Sequence, residues 1–346
     1  MLLYIHIPFC DSKCHYCAFN TYVDKFHLKA SYMEALKLQL IYELKDVKKL
    51  ESVFIGGGTP SCVEASLYKN IFELLKPHLD EQTEITTEAN PNSATKEWLE
   101  AMLRFGVNRV SFGVQSFDKQ KLKLLNRAHT KDDALKAIQN AHSVGFKNIS
   151  LDLIYAISTD TKELLKNDLD IAFSLPINHI SAYALIIEEG SVFQNKPHLS
   201  SEKLSLTKWF FNQIISRGFK HYEIGSFGTY ECIHNKGYWE LKEYIGAGAG
   251  AVGMRGAKRY YPKKVIEEYI QNPLHKDFES LSEDDIKLEK IFLAMRSSIG
   301  LDETILSKKE LERARLLTSE GKLEYKNSKF YNLDFLLADE IALFIS

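Results

Sequence analysis

Residues 4–20 read YIHIPFCDSKCHYCAFN, and residues 56–60 read GGGTP. Cys10, Cys14 and Cys17 are separated by three and then two residues, directly after the apolar run at residues 3–7. Thiolates spaced in this way can converge from one loop at the end of a strand. Three of them hold three irons of a [4Fe-4S] cube and leave the fourth iron open to an outside ligand. Zinc also accepts clustered thiolates, but no fourth Cys or His stands at zinc-finger spacing. His15 lies between two of the cysteines, where simultaneous ligation is cramped.

Outward from that loop, short apolar runs at 3–7, 53–55, 84–87, 109–112, 149–154 and 179–185 read as strands. Between them, residues 32–44, 67–75, 96–105, 131–144 and 161–172 carry a helical period. Alternation of this kind predicts right-handed β-α crossovers around a mostly parallel sheet. Gly106 and Gly145 stand where the third and fourth of these helices should be capped. The polar and glycine-rich segments that follow the strands then share one face of the sheet, the face where α/β folds bind ligands.

Further along, a short strand at 221–224 precedes His234-Asn235-Lys236-Gly237-Tyr238-Trp239, read as a loop, and the glycine-rich run 246–253. Small residues in that run permit close approach of backbone to a large ligand, or equally a tightly packed turn. After Pro262 the β-α rhythm stops. Residues 283–296, 301–306 and 311–317 read as helices, Gly321 opens a hairpin, and an apolar stretch ends at 345. Three helices and a wing predict a small, mostly helical C-terminal domain resembling a winged helix, serving as a lid or a docking element. The expected division is a core at 1–230, a connecting segment at 231–275 and a terminal domain at 276–346.

The bulk composition narrows the function classes. With 346 residues and 45% hydrophobic content the chain can bury a large core. Its 44 basic and 46 acidic residues nearly cancel, so no global field draws it to nucleic acid. Five cysteines, three of them crowded together, suit reduced intracellular chemistry better than a disulfide framework. No run approaches eighteen apolar residues, and a cytoplasmic location is expected. Cys62 sits on the next strand-end loop; as a fourth ligand it would close the open iron, so it is read as a small buried hydrophobe.

The chain resembles the radical S-adenosylmethionine superfamily, and within it the coproporphyrinogen-oxidase-like branch that contains the HemW haem chaperones. The resemblance runs through the cysteine triplet, GGGTPS, EANP, NRVSFGVQSF, LNRAH at 125–129, LDLIYA, HISAYALIIEEG, HNKGYW and YIGAGAG. It implies a partial TIM-type barrel of parallel strands. It also implies a [4Fe-4S] cluster on Cys10, Cys14 and Cys17 that cleaves S-adenosylmethionine to a 5'-deoxyadenosyl radical. Gly57, Gly58 and Thr59 would run beside the methionine end of that cofactor. Glu88, Gln115, Arg127 and Asp152 match cofactor-contacting positions, with Arg127 suited to the methionine carboxylate and the two carboxylates to ribose hydroxyls or the ammonium. Tyr4 and Tyr16 match two further lining positions.

Two readings share this scaffold. The oxygen-independent coproporphyrinogen III oxidases carry a fourth cysteine where this chain has Phe19, and a longer segment before the motif. Both departures favour the chaperone branch, in which an HNxxYW element is associated with haem. Here that element supplies His234 as a possible axial ligand, with Tyr238 and Trp239 to stack on the porphyrin. The resemblance then implies a protein that holds haem and passes it to respiratory haem proteins, some of them at the inner membrane, with a homodimer among the assemblies allowed. A nucleic-acid-modifying role is disfavoured by the balanced charge.

Overall fold

The computed structural model describes residues 1–346. Its first half is a repeating β-α unit: β1 (Leu2–Ile7), α1 (Lys29–Glu43), β2 (Ser52–Gly57), α2 (Ala65–Leu75), β3 (Glu84–Ala89), α3 (Lys96–Arg104), β4 (Arg109–Gln115), α4 (Lys119–Leu124), α5 (Lys131–Val144), β5 (Asn148–Tyr155), α6 (Lys162–Phe173) and β6 (His179–Ala184). Strands β1 to β6 pair in chain order, all parallel. Each helix returns the chain across one face. Sequence-local signals set its ends: Thr130 and Asp133 form a capping box at the start of α5, and Gly145 closes it at φ 115°, a left-handed conformation that costs glycine little. Gly106 does the same after α3 at φ 104°.

Side-chain alternation divides the sheet into two faces. Leu3, Ile5 and Ile7 of β1, Val110 and Phe112 of β4, and Leu151 and Leu153 of β5 join a core of 56 buried residues beneath the helices. Burial of each such side chain contributes about 1.5–3 kcal/mol. Their neighbours Tyr4, His6, Ser111, Gly113 and Asp152 turn to the concave face.

The second half extends both edges of this sheet. After α7 (Leu204–Ile215), β7 (Lys220–Glu223) and β8 (Ser226–Gly228) add antiparallel strands beside β6. Next comes a helix, α8 (Ile233–Trp239), then β9 (Tyr244–Ala247), which returns to lie parallel to β1. Strands β10 (Gly253–Arg255), β11 (Lys258–Pro262) and, after α9 (Ile266–Gln271), β12 (Lys276–Ser280) complete a twelve-stranded sheet. The sheet is open, ending at β12 and β7, so the expected α/β barrel is partial. Residues 231–275 are therefore no connector but part of the sheet and its plug, and residues 276–280, expected in the terminal domain, form its edge strand.

The remaining chain has its own twelve-residue core. It packs α10 (Glu283–Met295), α11 (Lys308–Ser319) and α12 (Ala338–Ile345) with a three-stranded sheet of β13 (Leu301–Asp302), β14 (Leu323–Lys326) and β15 (Lys329–Asn332). The hairpin is where the sequence places it. Residues 301–306, read as a helix, are instead a two-residue strand and a 3-10 turn capped by Asp302. This unit packs on β7 and α8 and contributes nothing to the cavity at the cysteines, so it is no lid over that site.

Candidate functional site

All the polar strand ends meet at one cavity of about 630 Å³. The loop after β1 brings Cys10, Cys14, Tyr16 and Cys17 to it; β2 ends in Gly57, Gly58 and Thr59; β3 brings Glu88 and Asn90. Gln115 arrives from β4, Arg127 from the turn after α4 and Asp152 from β5. Eleven of the twelve residues singled out in the sequence for the cluster and S-adenosylmethionine, all but Tyr4, share this wall.

Local structure explains how they are aimed. The pairing of β4 with β5 slips between Phe112 and Gln115, and Gln115 sits at φ 68°, a strained backbone typical of bulges beside functional sites. Asp168 of α6 holds the following turn, accepting from Ser116 Oγ and Phe117 N, each at 2.7 Å. Lys121 and Asp160 form a fully buried ion pair at 2.8 Å beneath it. The glycines answer to packing as well as to any ligand. A Cβ on Gly57 would lie 2.4 Å from the His6 ring, and one on Gly58 would lie 2.7 Å from the Phe9 carbonyl.

The electrostatics are those of a site built for a charged guest. Burial, followed by the proximity of Asp152, pushes Glu88 up to about 7, although Gly57 N–H donates to it at 3.0 Å. Burial likewise raises Asp152 to about 6, against the pull of Arg109 and a 3.2 Å hydrogen bond from Ser111. Arg127 donates from Nη1 to Cys14 Sγ at 3.0 Å and from Nη2 to Asn90 Oδ1 at 2.6 Å, while its buried Nε has no partner. Burial pushes the Cys10 thiol up to about 12, with Thr59 Oγ1 at 3.1 Å. Nowhere in the molecule do three metal-ligating side chains stand preassembled as an ion site. The triplet thus shares a wall while Cys10 and Cys14 bond to separate partners. Soft thiols, a cationic fork with a spare donor and two carboxylates short of counter-charge nevertheless fit a cluster and a zwitterionic sulfonium.

Asn90 was not among the residues singled out, yet it links Arg127 to Thr59 Oγ1 at 3.0 Å. Its signal was the EANP motif. Tyr4 corrects the expectation in the other direction: it does not line the cavity. Its hydroxyl bonds His6 Nδ1 at 2.9 Å, and the His6 ring underlies Gly57. Tyr4 therefore reaches the site through His6. Cys62 lies off the cavity wall with a thiol raised by burial to about 12.

His234 is a second correction. It lies on α8, not in a loop, and is fully buried at the start of the strands, opposite the cysteines. Nδ1 bonds Ser52 Oγ at 2.8 Å and Nε2 bonds the Tyr238 hydroxyl at 2.9 Å. Burial, then Arg109, lowers its pKa to about 3, so it is neutral with both nitrogens engaged. An imidazole so committed has no lone pair for a haem iron. Glu84 fixes the helix, accepting from Ile233 N at 2.9 Å, His234 N at 3.0 Å and Tyr230 Oη at 2.8 Å.

The sequence model of the radical SAM superfamily matches residues 4–172. The heme chaperone HemW of Bacillus subtilis strain 168 is 33% identical over 327 residues, 88% of this chain and 86% of its own. That of Lactococcus lactis strain IL1403 is 33% identical over 312 residues, covering 86% and 82%. Among solved structures, the coproporphyrinogen III oxidase HemN of Escherichia coli, described as a radical SAM enzyme, superposes with a TM-score of 0.83. It is 20% identical, over 99% of this chain and 89% of its own, so that likeness speaks to the fold alone.

Proposed function

Because the chain belongs to the HemW-like family of the radical SAM superfamily, we propose that it is a haem chaperone carrying a [4Fe-4S] cluster and S-adenosylmethionine. The observation that carries the cofactor half is the single cavity shared by Cys10, Cys14, Cys17, Glu88, Gln115, Arg127 and Asp152. When bound, a cluster with one iron free of protein ligands supplies an electron to the sulfonium.

The protein's own part is to hold and orient. Cys10, Cys14 and Cys17 ligate as thiolates, and Arg127, released from Cys14, pairs its fork with the methionine carboxylate. Glu88 and Asp152 meet the ammonium and the ribose hydroxyls, and Gln115 offers one donor and one acceptor. The backbone at Gly57, Gly58 and Thr59 closes one side, Tyr16 walls another, and Tyr4 stiffens the first of these through His6. Haem carriage, rather than porphyrin decarboxylation, is the reading favoured by the named relatives and by Phe19. The recipients proposed are haem-dependent respiratory proteins, some membrane-associated, met from the cytoplasmic side; no helix of this chain is long and apolar enough to cross a membrane. A homodimer is the assembly proposed for the carrier, and nucleic acid is not a proposed partner.

Protein prepared without oxygen should hold about four irons and as many acid-labile sulfides per chain after reconstitution. Stoichiometric zinc with no sulfide would overturn the cofactor assignment. With coproporphyrinogen III, reductant and S-adenosylmethionine the reconstituted protein should leave the propionates intact. Turnover to protoporphyrinogen would make it an oxidase.

A further inference from the structure

The stretch LNRAH at residues 125–129 enters the cofactor reading through Arg127 alone, yet it bonds to both halves of the site. We propose that Asn126 and His129 are positioning residues, and that residues 124–129 form a bracket holding the cysteine loop at 10–17 and the Gln115 bulge at a fixed separation. This rests on the cofactor half of the proposed function and adds two residues that do not line the cavity.

The bracket is anchored before it reaches the site. It leaves the end of α4, which Asp118 caps by accepting from Lys121 N at 2.8 Å and which the buried Lys121–Asp160 pair pins to the core. The exit is a Schellman turn: Asn126 N donates to Lys123 O at 3.1 Å and Arg127 N to Leu122 O at 2.9 Å. Asn126 therefore stands at the left-handed position, φ 56°, where glycine is the usual choice. Glycine would serve the turn at least as well, so the reason for asparagine lies in what its side chain does. Its Nδ2 donates to Lys13 O at 2.9 Å, inside the cysteine loop.

Two more bonds join the bracket to that loop, from His15 N to Leu125 O at 3.1 Å and from His15 Nδ1 to Leu124 O at 3.0 Å. A carbonyl only accepts, so Nδ1 carries a proton. Lys13 and His15 flank Cys14, and the three bonds therefore grip the chain on either side of a proposed ligand. From the other side, Phe193 N donates to His15 O at 3.0 Å, and the Phe193 ring meets the imidazole edge-on with centres 5.5 Å apart.

The far arm reaches β4. Arg127 Nη2 donates to Gly113 O at 2.5 Å and His129 Nε2 to Val114 O at 3.0 Å, the two carbonyls just before strained Gln115. His129 is buried, and burial, then Arg127, lowers its pKa to about 4, so the ring is neutral with its one proton on Nε2. Its buried Nδ1 has no partner, a cost that an apolar side chain would avoid, which leaves the Nε2 bond as the reason for histidine here. Reacting groups tolerate misplacement on the order of 1 Å poorly, and a bracket of six residues bonded at both ends fixes the spacing that Arg127 alone does not.

The test compares the full chain, reconstituted without oxygen, with Asn126→Gly, His129→Leu and His129→Gln. Iron release to a chelator reads the cysteine-loop arm, and S-adenosylmethionine affinity by equilibrium dialysis reads the bulge arm. Asn126 is exposed and glycine suits its backbone, so thermal unfolding of the metal-free Asn126→Gly chain should match or exceed the native. Iron should nevertheless leave that variant about three- to tenfold faster. His129→Leu should keep native iron and sulfide while binding S-adenosylmethionine about three- to tenfold more weakly, and His129→Gln, which retains a donor, should recover most of that loss. Native iron release in Asn126→Gly would overturn the cysteine-loop arm; native affinity in His129→Leu, or an equal loss in His129→Gln, would overturn the bulge arm. Should His129→Leu not fold, the iron release of Asn126→Gly decides alone. A native chain that assembles no cluster would end the cofactor reading itself, a result separate from any variant.

Discussion

The two ends of the parallel strands are built from the same kinds of residue and do opposite things with them. At the cysteine end, Glu88 and Asp152 share a cavity, both raised by burial, and Arg127 keeps a buried nitrogen without a partner. At the other end, Glu84, Ser52 and His234 spend their hydrogen bonds on one another, on α8 and on the turn before it, and His179 spends both ring nitrogens on Ser150 and Tyr222. The lesson is that a polar residue on the concave face marks function only where its bonding capacity is left open. Where the capacity is closed, the residue belongs to the architecture.

The largest effect expected from breaking this contrast is at the open end. Cys14→Ser should abolish the cluster, with iron and sulfide falling from stoichiometric to traces in metal analysis. Thermal unfolding of the metal-free chain should barely move, since Cys14 is only partly buried. Retained iron and sulfide would remove Cys14 from the ligand set.

At the closed end the signs reverse. Glu84→Ala removes the acceptor for two backbone N–H groups of α8, the Tyr230 hydroxyl and the Cys232 thiol at 3.4 Å, and strips a carboxylate from the field around buried Arg109. Losing it should destabilise by ~3–5 kcal/mol in urea unfolding, while a reconstituted cluster, where the protein folds, should be normal. His234→Ala should follow at ~2–4 kcal/mol, from a cavity and two lost bonds. A native-like midpoint for His234→Ala would mean the closed network is weaker than its geometry.

How much of this contrast could be read beforehand follows from where the partners lie along the chain. The strands and most helices of the first half were legible because their signals are local: apolar alternation, Thr130 with Asp133, Gly106 and Gly145. Several helix and strand assignments, most of them in the second half, were not. Helix α8 carries Gly237 inside it and no cap of its own; its cap is Glu84, some 149 residues earlier. Strand β9 has four residues, one of them glycine, and exists because β1 offers an edge. Strand β12 completes an edge from beyond the end of the β-α rhythm, and residues 301–306 had helical period but too little length. The cavity residues were legible as strand-end motifs. Their bonding state was not, since whether His234 is open or closed depends on Ser52, 182 residues away.

The smallest predicted effect sharpens the open end from within. Glu88 in the folded, ligand-free chain titrates near 7 and Asp152 near 6, above ordinary carboxyl values of 4.5 and 3.8. Raised acids stabilise the fold while protonated, so their contribution is full below about pH 4 and is lost as pH climbs through 6 to 7. A cationic guest has the opposite preference, because it binds the ionised pair and releases protons as it does so. S-adenosylmethionine affinity, measured by anaerobic equilibrium dialysis on cluster-loaded protein, should therefore rise up to about tenfold from pH 6 to pH 8, while the ligand-free chain loses stability over the same interval. Glu88→Gln should flatten the first trend and most of the second. If affinity is as pH-dependent in Glu88→Gln as in the native chain, the open carboxylates are not what receives the guest's charge, and the contrast between the two ends rests on the thiols and Arg127 alone.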